Sequence, residues 1–170
     1  MRNNQPVTAT EYPLGDDTLI VSKTDTKGRI TYFNQQFLEA SGFTHEELIG
    51  QPHNIVRHPD MPVEAFADLW DTVKAGKPWA GAVKNRRKNG DFYWVLASVT
   101  PIWENGEVTG FMSVRTKLPA DQRREAEEVY RLFREKKAQK YRVVAGIVRR
   151  RSWSDAFVMF SRTLKARLTT

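Results

Sequence analysis

The 170-residue sequence contains no cysteine. That excludes disulfides, thiolate metal sites, iron–sulfur clusters, cysteine nucleophiles and any photochemistry that needs a thiol adduct. Histidine is scarce as well: His45, His53 and His58 are the only three, and no His-Glu-x-x-His pair exists, so no metal site is expected. No apolar run approaches the roughly 20 residues that a membrane helix needs. Residues 1–10 are polar and lack the apolar centre of a signal peptide. The hydrolase Gly-x-Ser-x-Gly, the phosphate-binding loop and the dinucleotide Gly-x-Gly-x-x-Gly pattern are all missing. A soluble, cytoplasmic, non-enzymatic chain is expected.

What is present is enough for a core. Hydrophobic residues make up 40% and aromatics 11%, which excludes wholesale disorder. The net charge of +7 is uneven: residues 1–118 carry −1 and residues 119–170 carry +8. An anionic partner, such as the inner face of the cell membrane, would therefore meet the tail. A solvated basic tail explains the same charge. No nucleic-acid motif accompanies it, so no nucleic-acid partner is expected.

Residues 1–18, with Pro6, Pro13 and Gly15, read as an irregular lead-in or cap. Leu19–Thr24 and Arg29–Phe33 are β-rich runs around a turn at Gly28, which suggests a hairpin. From Asn34 the pattern is helical until Gly42, and Thr44-His45-Glu46-Glu47 fits a capping box. Val63, Phe66, Ala67, Trp70 and Val73 recur at helical spacing, closed by Gly76. Trp79–Arg87, Phe92–Trp103 and Val108–Arg115 are strand-like, separated by Asn89-Gly90 and Asn105-Gly106, both read as type I′ hairpin turns. Two strands, several helices and three strands give an α+β fold. Its five-stranded antiparallel sheet carries the helices on one face, and a cavity lies between. The division is then 1–18, a sensory unit over 19–118, and a basic, mainly helical tail over 119–170. Within the tail, Trp153, Phe157, Phe160, Leu164 and Leu168 form one helical stripe.

Two constellations could carry chemistry. In the first, His53 to Pro62, Arg57, His58 and Asp60 are stiffened by prolines and can offer fixed donors and an acceptor to a polar ligand. Equally, Asp60 can pair with Arg57 or cap the helix at Val63. In the second, Trp79, Gly81, Val83 and Asn85 share one face of a strand. A π surface, a gap and an amide suit a flat heteroaromatic ligand; an ordinary core Trp79 is the plainer alternative. Asn34, at a strand–helix junction, caps its helix or reaches the same pocket.

Asn34, Gly42-Phe43, Glu47-Leu48-Ile49-Gly50 and the strand order resemble the PAS sensory fold. Residues 51–62 and 77–91 closely resemble the N-terminal domain of bacterial aerotaxis receptors. The resemblance is strong over about 10–118 and weak around Gly146–Trp153. It implies non-covalent FAD, supported by Arg57, His58 and Asp60, packed by Trp79 and met by Asn85 and Asn34, with His53 nearby. It also implies sensing of redox state or oxygen supply, and a membrane-anchored HAMP and signalling module as partner. A homodimer is implied by resemblance only. Such a receptor would run on past Thr170, so the sequence is either a piece of one or a free-standing sensor. Two other readings remain open: a haem PAS gas sensor with His53 or His58 as axial ligand, and a cofactor-free docking module.

Overall fold

A computed structural model of the protein describes residues 4–151. β1 (Ile20–Asp25) and β2 (Ile30–Phe33) form the expected hairpin. Then come α1 (Gln35–Ser41), α2 (His45–Leu48), a 3₁₀ turn (His53–Val56) and α3 (Val63–Lys74). β3 (Trp79–Arg86), β4 (Phe92–Glu104) and β5 (Glu107–Lys117) follow, and α4 (Ala120–Arg134) leads to β6 (Tyr141–Val144) and β7 (Ile147–Arg150). β1 to β5 make one antiparallel sheet, as the sequence pattern predicts, and its spatial order is β2-β1-β5-β4-β3.

Local chemistry sets the helix ends. Asn34 Oδ1 accepts from Phe37 N, and Gly42, at φ 70°, closes α1 in the left-handed region. Thr44 and Glu47 form the expected reciprocal capping box of α2.

The sheet register divides its two faces. Ser22 pairs with Ser113, Ser113 with Val99, Val99 with Trp79, and Asn85 with Tyr93. These positions and their i±2 neighbours face the core that holds Phe37, Leu48, Ala65, Leu69 and Val73. Connecting helices inserted between β2 and β3 have only that face to cover. The alternate positions face outward, where α4 covers part of β3 and β4. Tyr130 Oη donates to Ala82 O at 2.7 Å, and its ring stacks on Trp94.

Two expectations need correction, and the lead-in gains detail. Asn105-Gly106 is a two-residue turn with φ 52° and 82°, but Asn89-Gly90 is not. Arg86 pairs with Phe92, which leaves five residues in that loop, and Asn89 Oδ1 accepts from Asp91 N. The lead-in lacks regular structure yet is pinned: Tyr12 N donates to Phe92 O, and the buried Asn4 amide donates to Asn54 O, Ile55 O and Arg57 O. Finally, the tail, expected to be mainly helical, contains a β-hairpin over residues 141–150. Val143, Val144, Ile147 and Val148 favour strand, and Ala145-Gly146, at φ 50° and 87°, is its turn. The stripe from Trp153 to Leu168 lies outside the described residues.

Candidate functional site

A cavity of about 150 Å³ lies between the inner face of the sheet and the segment from the 3₁₀ turn to α3. Val56, Phe66, Leu69 and Trp70 wall it from the helical side, and Val83, Ala97, Val99 and Phe111 from the sheet. Polar side chains interrupt this lining: Ser22, Thr24, Ser113 and Arg115 from β1 and β5, Asn85 from β3, and His53, Asn54 and Arg57 from the loop. Arg57 reaches the cavity because its backbone bridges to Asn85 on the edge strand.

The electrostatic centre is Arg115, only 3% exposed. One of its nitrogens donates to Ser22 Oγ at 2.7 Å and to His53 Nε2 at 2.6 Å. A guanidinium has no acceptor, so Nε2 accepts and the neutral ring carries its proton on Nδ1. Burial, and then the Arg115 charge, push His53 down to about 3. Burial also lowers Arg115, to about 10, which leaves it a cation at neutral pH. Among the described residues no carboxylate pairs with it. Its guanidinium lies 5.2 Å from the Phe37 ring centroid, an approach that offsets part of the desolvation.

Four buried polar atoms of the lining have no hydrogen-bond partner among the described residues: Thr24 Oγ1, Arg57 Nε, Asn85 Nδ2 and Arg115 Nη1. Three are N–H donors, two of them on cations. Buried donors are normally satisfied, so this set suits a ligand edge rich in acceptors. Asn85 sits beside the Tyr93 hydroxyl, which burial pushes up to about 12. The Arg57 guanidinium stacks 3.9 Å over Phe66, and its Nη2 donates to Met61 O.

Of the residues singled out in the sequence, His53, Arg57 and Asn85 line the cavity and four do not. Asn34 is committed to capping and to β1, accepting from Val21 N and donating to Leu19 O. Trp79 is buried, donates its Nε1–H to Asp68 at 2.7 Å, and lays its own ring in the space beside Gly81. His58 Nδ1 accepts from Asp60 N, and burial followed by the Lys84 charge pushes this ring down to about 4. Asp60 neither pairs with Arg57 nor caps α3, whose N-cap is Pro62. It binds Lys84 Nζ at 2.7 Å on the outer side; burial raises its pKa, but Lys84 more than offsets this.

Arg115, Ser22, Thr24 and Ser113 were missed. The alternation Phe111, Ser113, Arg115 carried the signal, because a period of two turns a charged residue inward with an aromatic.

A profile of the PAS fold matches residues 30–115. The aerotaxis receptor of Escherichia coli (strain K12) is 46% identical over 153 residues, 90% of this chain and 30% of the receptor. The nitrogen fixation regulatory protein of Klebsiella pneumoniae is 26% identical over 99 residues, 58% of this chain and 20% of that protein. The chain thus spans less than a third of these relatives. Among solved structures, the light state of the blue-light photoreceptor Aureochrome1 LOV is similar with TM-score 0.56 at 18% identity, covering 69% of this chain and 89% of that one. A PAS domain from Colwellia psychrerythraea gives 0.54 at 24%, over 59% and 86%. These structural likenesses speak to fold alone. With the profile running from β2 to β5 and the receptor similarity extending along nine-tenths of its length, the chain belongs to the PAS family.

Proposed function

We propose that the protein is a non-enzymatic, FAD-binding PAS sensor of redox state or oxygen supply that signals in aerotaxis. One observation carries the reading: Arg115, a buried cation without a carboxylate, faces a cavity whose other unpaired polar atoms are mostly donors. An isoalloxazine edge presents carbonyl and ring-nitrogen acceptors to such a set. The similarity to an aerotaxis receptor supplies the behavioural context.

Bound FAD would supply a centre that takes up electrons reversibly and gains negative charge as it does. Arg115 holds a fixed positive charge against that change, at low local dielectric. His53, neutral and committed as an acceptor to Arg115, keeps the guanidinium aimed. Asn85 can present its N–H or its carbonyl, so it can follow a change in the partner's protonation. The enclosed volume of about 150 Å³ is small beside ordinary ligand pockets of roughly 300–1,000 Å³. Ring entry therefore requires the cavity to widen.

The unit over 19–118 is the sensor, and residues 1–18 and 119–170 are its contacts to the outside. The partner is a HAMP or other signalling module, with a homodimer and a basic-tail contact at the inner membrane face as accompanying expectations. Among the described residues no helix is long and apolar enough to cross a membrane. A haem reading finds less support: His53 Nε2 is engaged by Arg115, and His58 lies outside the lining.

An absorption spectrum of the purified protein, followed by heat release and chromatography of the chromophore, tests the proposal. Released FAD is the expected result. A haem spectrum, or colourless folded protein that takes up no added FAD, overturns it.

A further inference from the structure

One side chain of α3 receives the turn of the β6–β7 hairpin. Asp68 Oδ2 accepts from Trp79 Nε1 at 2.7 Å and from Gly146 N at 2.8 Å, while Oδ1 accepts from Ala145 N at 3.0 Å. Ala145 and Gly146 both have positive φ, so the β6–β7 turn points two successive N–H groups at the carboxylate. From the other side Ala80 N donates to Ala145 O. The turn sits so closely on β3 that a Cβ on Gly146 would fall 1.9 Å from Ala80 O. No other residue fits there.

The hairpin itself is small. Its strands are four residues each, Val144 and Ile147 are exposed, and Val148 packs against the core only from a partly buried position. A two-stranded hairpin of this size is at best marginal in water.

The clasp also touches the cavity wall from two directions. Phe66, Leu69 and Trp70, on the same helix as Asp68, line the cavity. Trp79, the third party to the clasp, opens the strand whose Val83 and Asn85 line it further on. A shift of α3 against β3 changes the distance between the carboxylate and its three donors.

We propose that Asp68 is a latch that couples docking of the 141–150 hairpin to the state of the cavity. Filling or reshaping the cavity alters how firmly Asp68 holds the Ala145–Gly146 turn. By linkage, releasing the turn alters what the cavity binds. The ligand arm of this proposal rests on the flavin reading above; the others do not.

Hydrogen exchange read by mass spectrometry on the full chain tests the latch. In Asp68→Ala the amides of Ala145 and Gly146 exchange at least tenfold faster, with β4 and β5 unchanged. Should that variant fail to fold, Asp68→Asn serves, and exchange equal to the parent overturns the latch. Coupling is read at the same amides after FAD is added, with uptake followed by quenching of flavin fluorescence, and separately in Leu69→Ala without cofactor. Altered exchange at 145–146 is expected in both. FAD bound with unaltered exchange overturns the coupling. If no FAD binds, the flavin reading has failed instead, and Leu69→Ala decides: unaltered exchange there overturns the coupling.

Discussion

Arg115 lies 2.6 Å from His53 Nε2, and burial first, then this cation, keep the histidine beside it neutral. This reverses the common arrangement in which an acid raises a histidine's pKa. It also leaves the cavity with net positive charge and no internal counter-ion.

Replacing that cation separates its two effects. Arg115→Met keeps the bulk and removes an unpaired buried charge, so the apo-protein should lose no more than about 1 kcal/mol, since apolar replacement of buried ions is often neutral or better. FAD retention should fall at least tenfold, which is about 1.4 kcal/mol. Any flavin still held should reduce at a lower potential, by about 30 mV for each 1.4 kcal/mol in a two-electron couple. Urea unfolding and a spectroelectrochemical titration measure the two. An unchanged potential would remove Arg115 from the redox role.

The histidines predict an acid-labile fold. His53 titrates near 3 and His58 near 4 in the folded state, against about 6.5 when unfolded. The unfolded chain thus binds more protons between these values, so stability is complete above pH 6.5 and is lost as pH falls toward 4 and then 3. Each ring should remove roughly 2 kcal/mol between pH 7 and pH 5, at 1.36 kcal/mol per pKa unit. Urea midpoints at the two pH values, compared with those of His53→Gln and His58→Gln, isolate each share. A variant that keeps the parental slope would refute the share assigned to that ring.

Much of the fold could be read from local pattern, because capping boxes, glycine stops and period-two alternation are local properties. The β1–β2 hairpin, α1 through α3 and the three-stranded meander all followed from them. What failed depended on distant partners. Asn89-Gly90 looks like a tight turn, but Thr8 N donates to Gly90 O and the loop opens to five residues. The hairpin within the basic tail has no local signal of its docking, because the partner of Ala145, Asp68, lies 77 positions earlier. In the site, His53, Arg57 and Asn85 converge as their strand and loop pattern suggested. Arg115 was overlooked because a charge on a strand ordinarily faces solvent.

Asn34 ties β1 to α1 through three hydrogen bonds and so should be a stability residue in its own right. Asn34→Ala removes the N-cap and leaves Val21 N without its acceptor. A loss of about 1–2 kcal/mol is expected from the cap alone. Asn34→Asp, which keeps the acceptor and loses only the donor to Leu19 O, should recover most of it. Denaturant midpoints of the pair decide this; equal losses would mean that the cap is not what Asn34 supplies.

Asn85 offers the sharpest test of what the cavity holds. Its Nδ2 is unpaired, Arg57 Nε is unpaired on the neighbouring loop, and the Tyr93 hydroxyl lies beside it. Asn85→Asp replaces that donor with an acceptor of nearly the same shape. The new carboxylate can accept from the Tyr93 hydroxyl and draws on the Arg115 charge, so the fold should tolerate it. A ligand edge made of carbonyl oxygens would instead meet a negative charge where it met an N–H. Affinity for FAD should drop at least tenfold, or about 1.4 kcal/mol, while the unfolding midpoint moves little. Fluorescence titration of apo-protein with FAD reads the first and urea unfolding the second. Full FAD affinity together with an unchanged response to reduction would mean that the acceptor edge lies elsewhere in the cavity, and the flavin reading would lose its contact on β3.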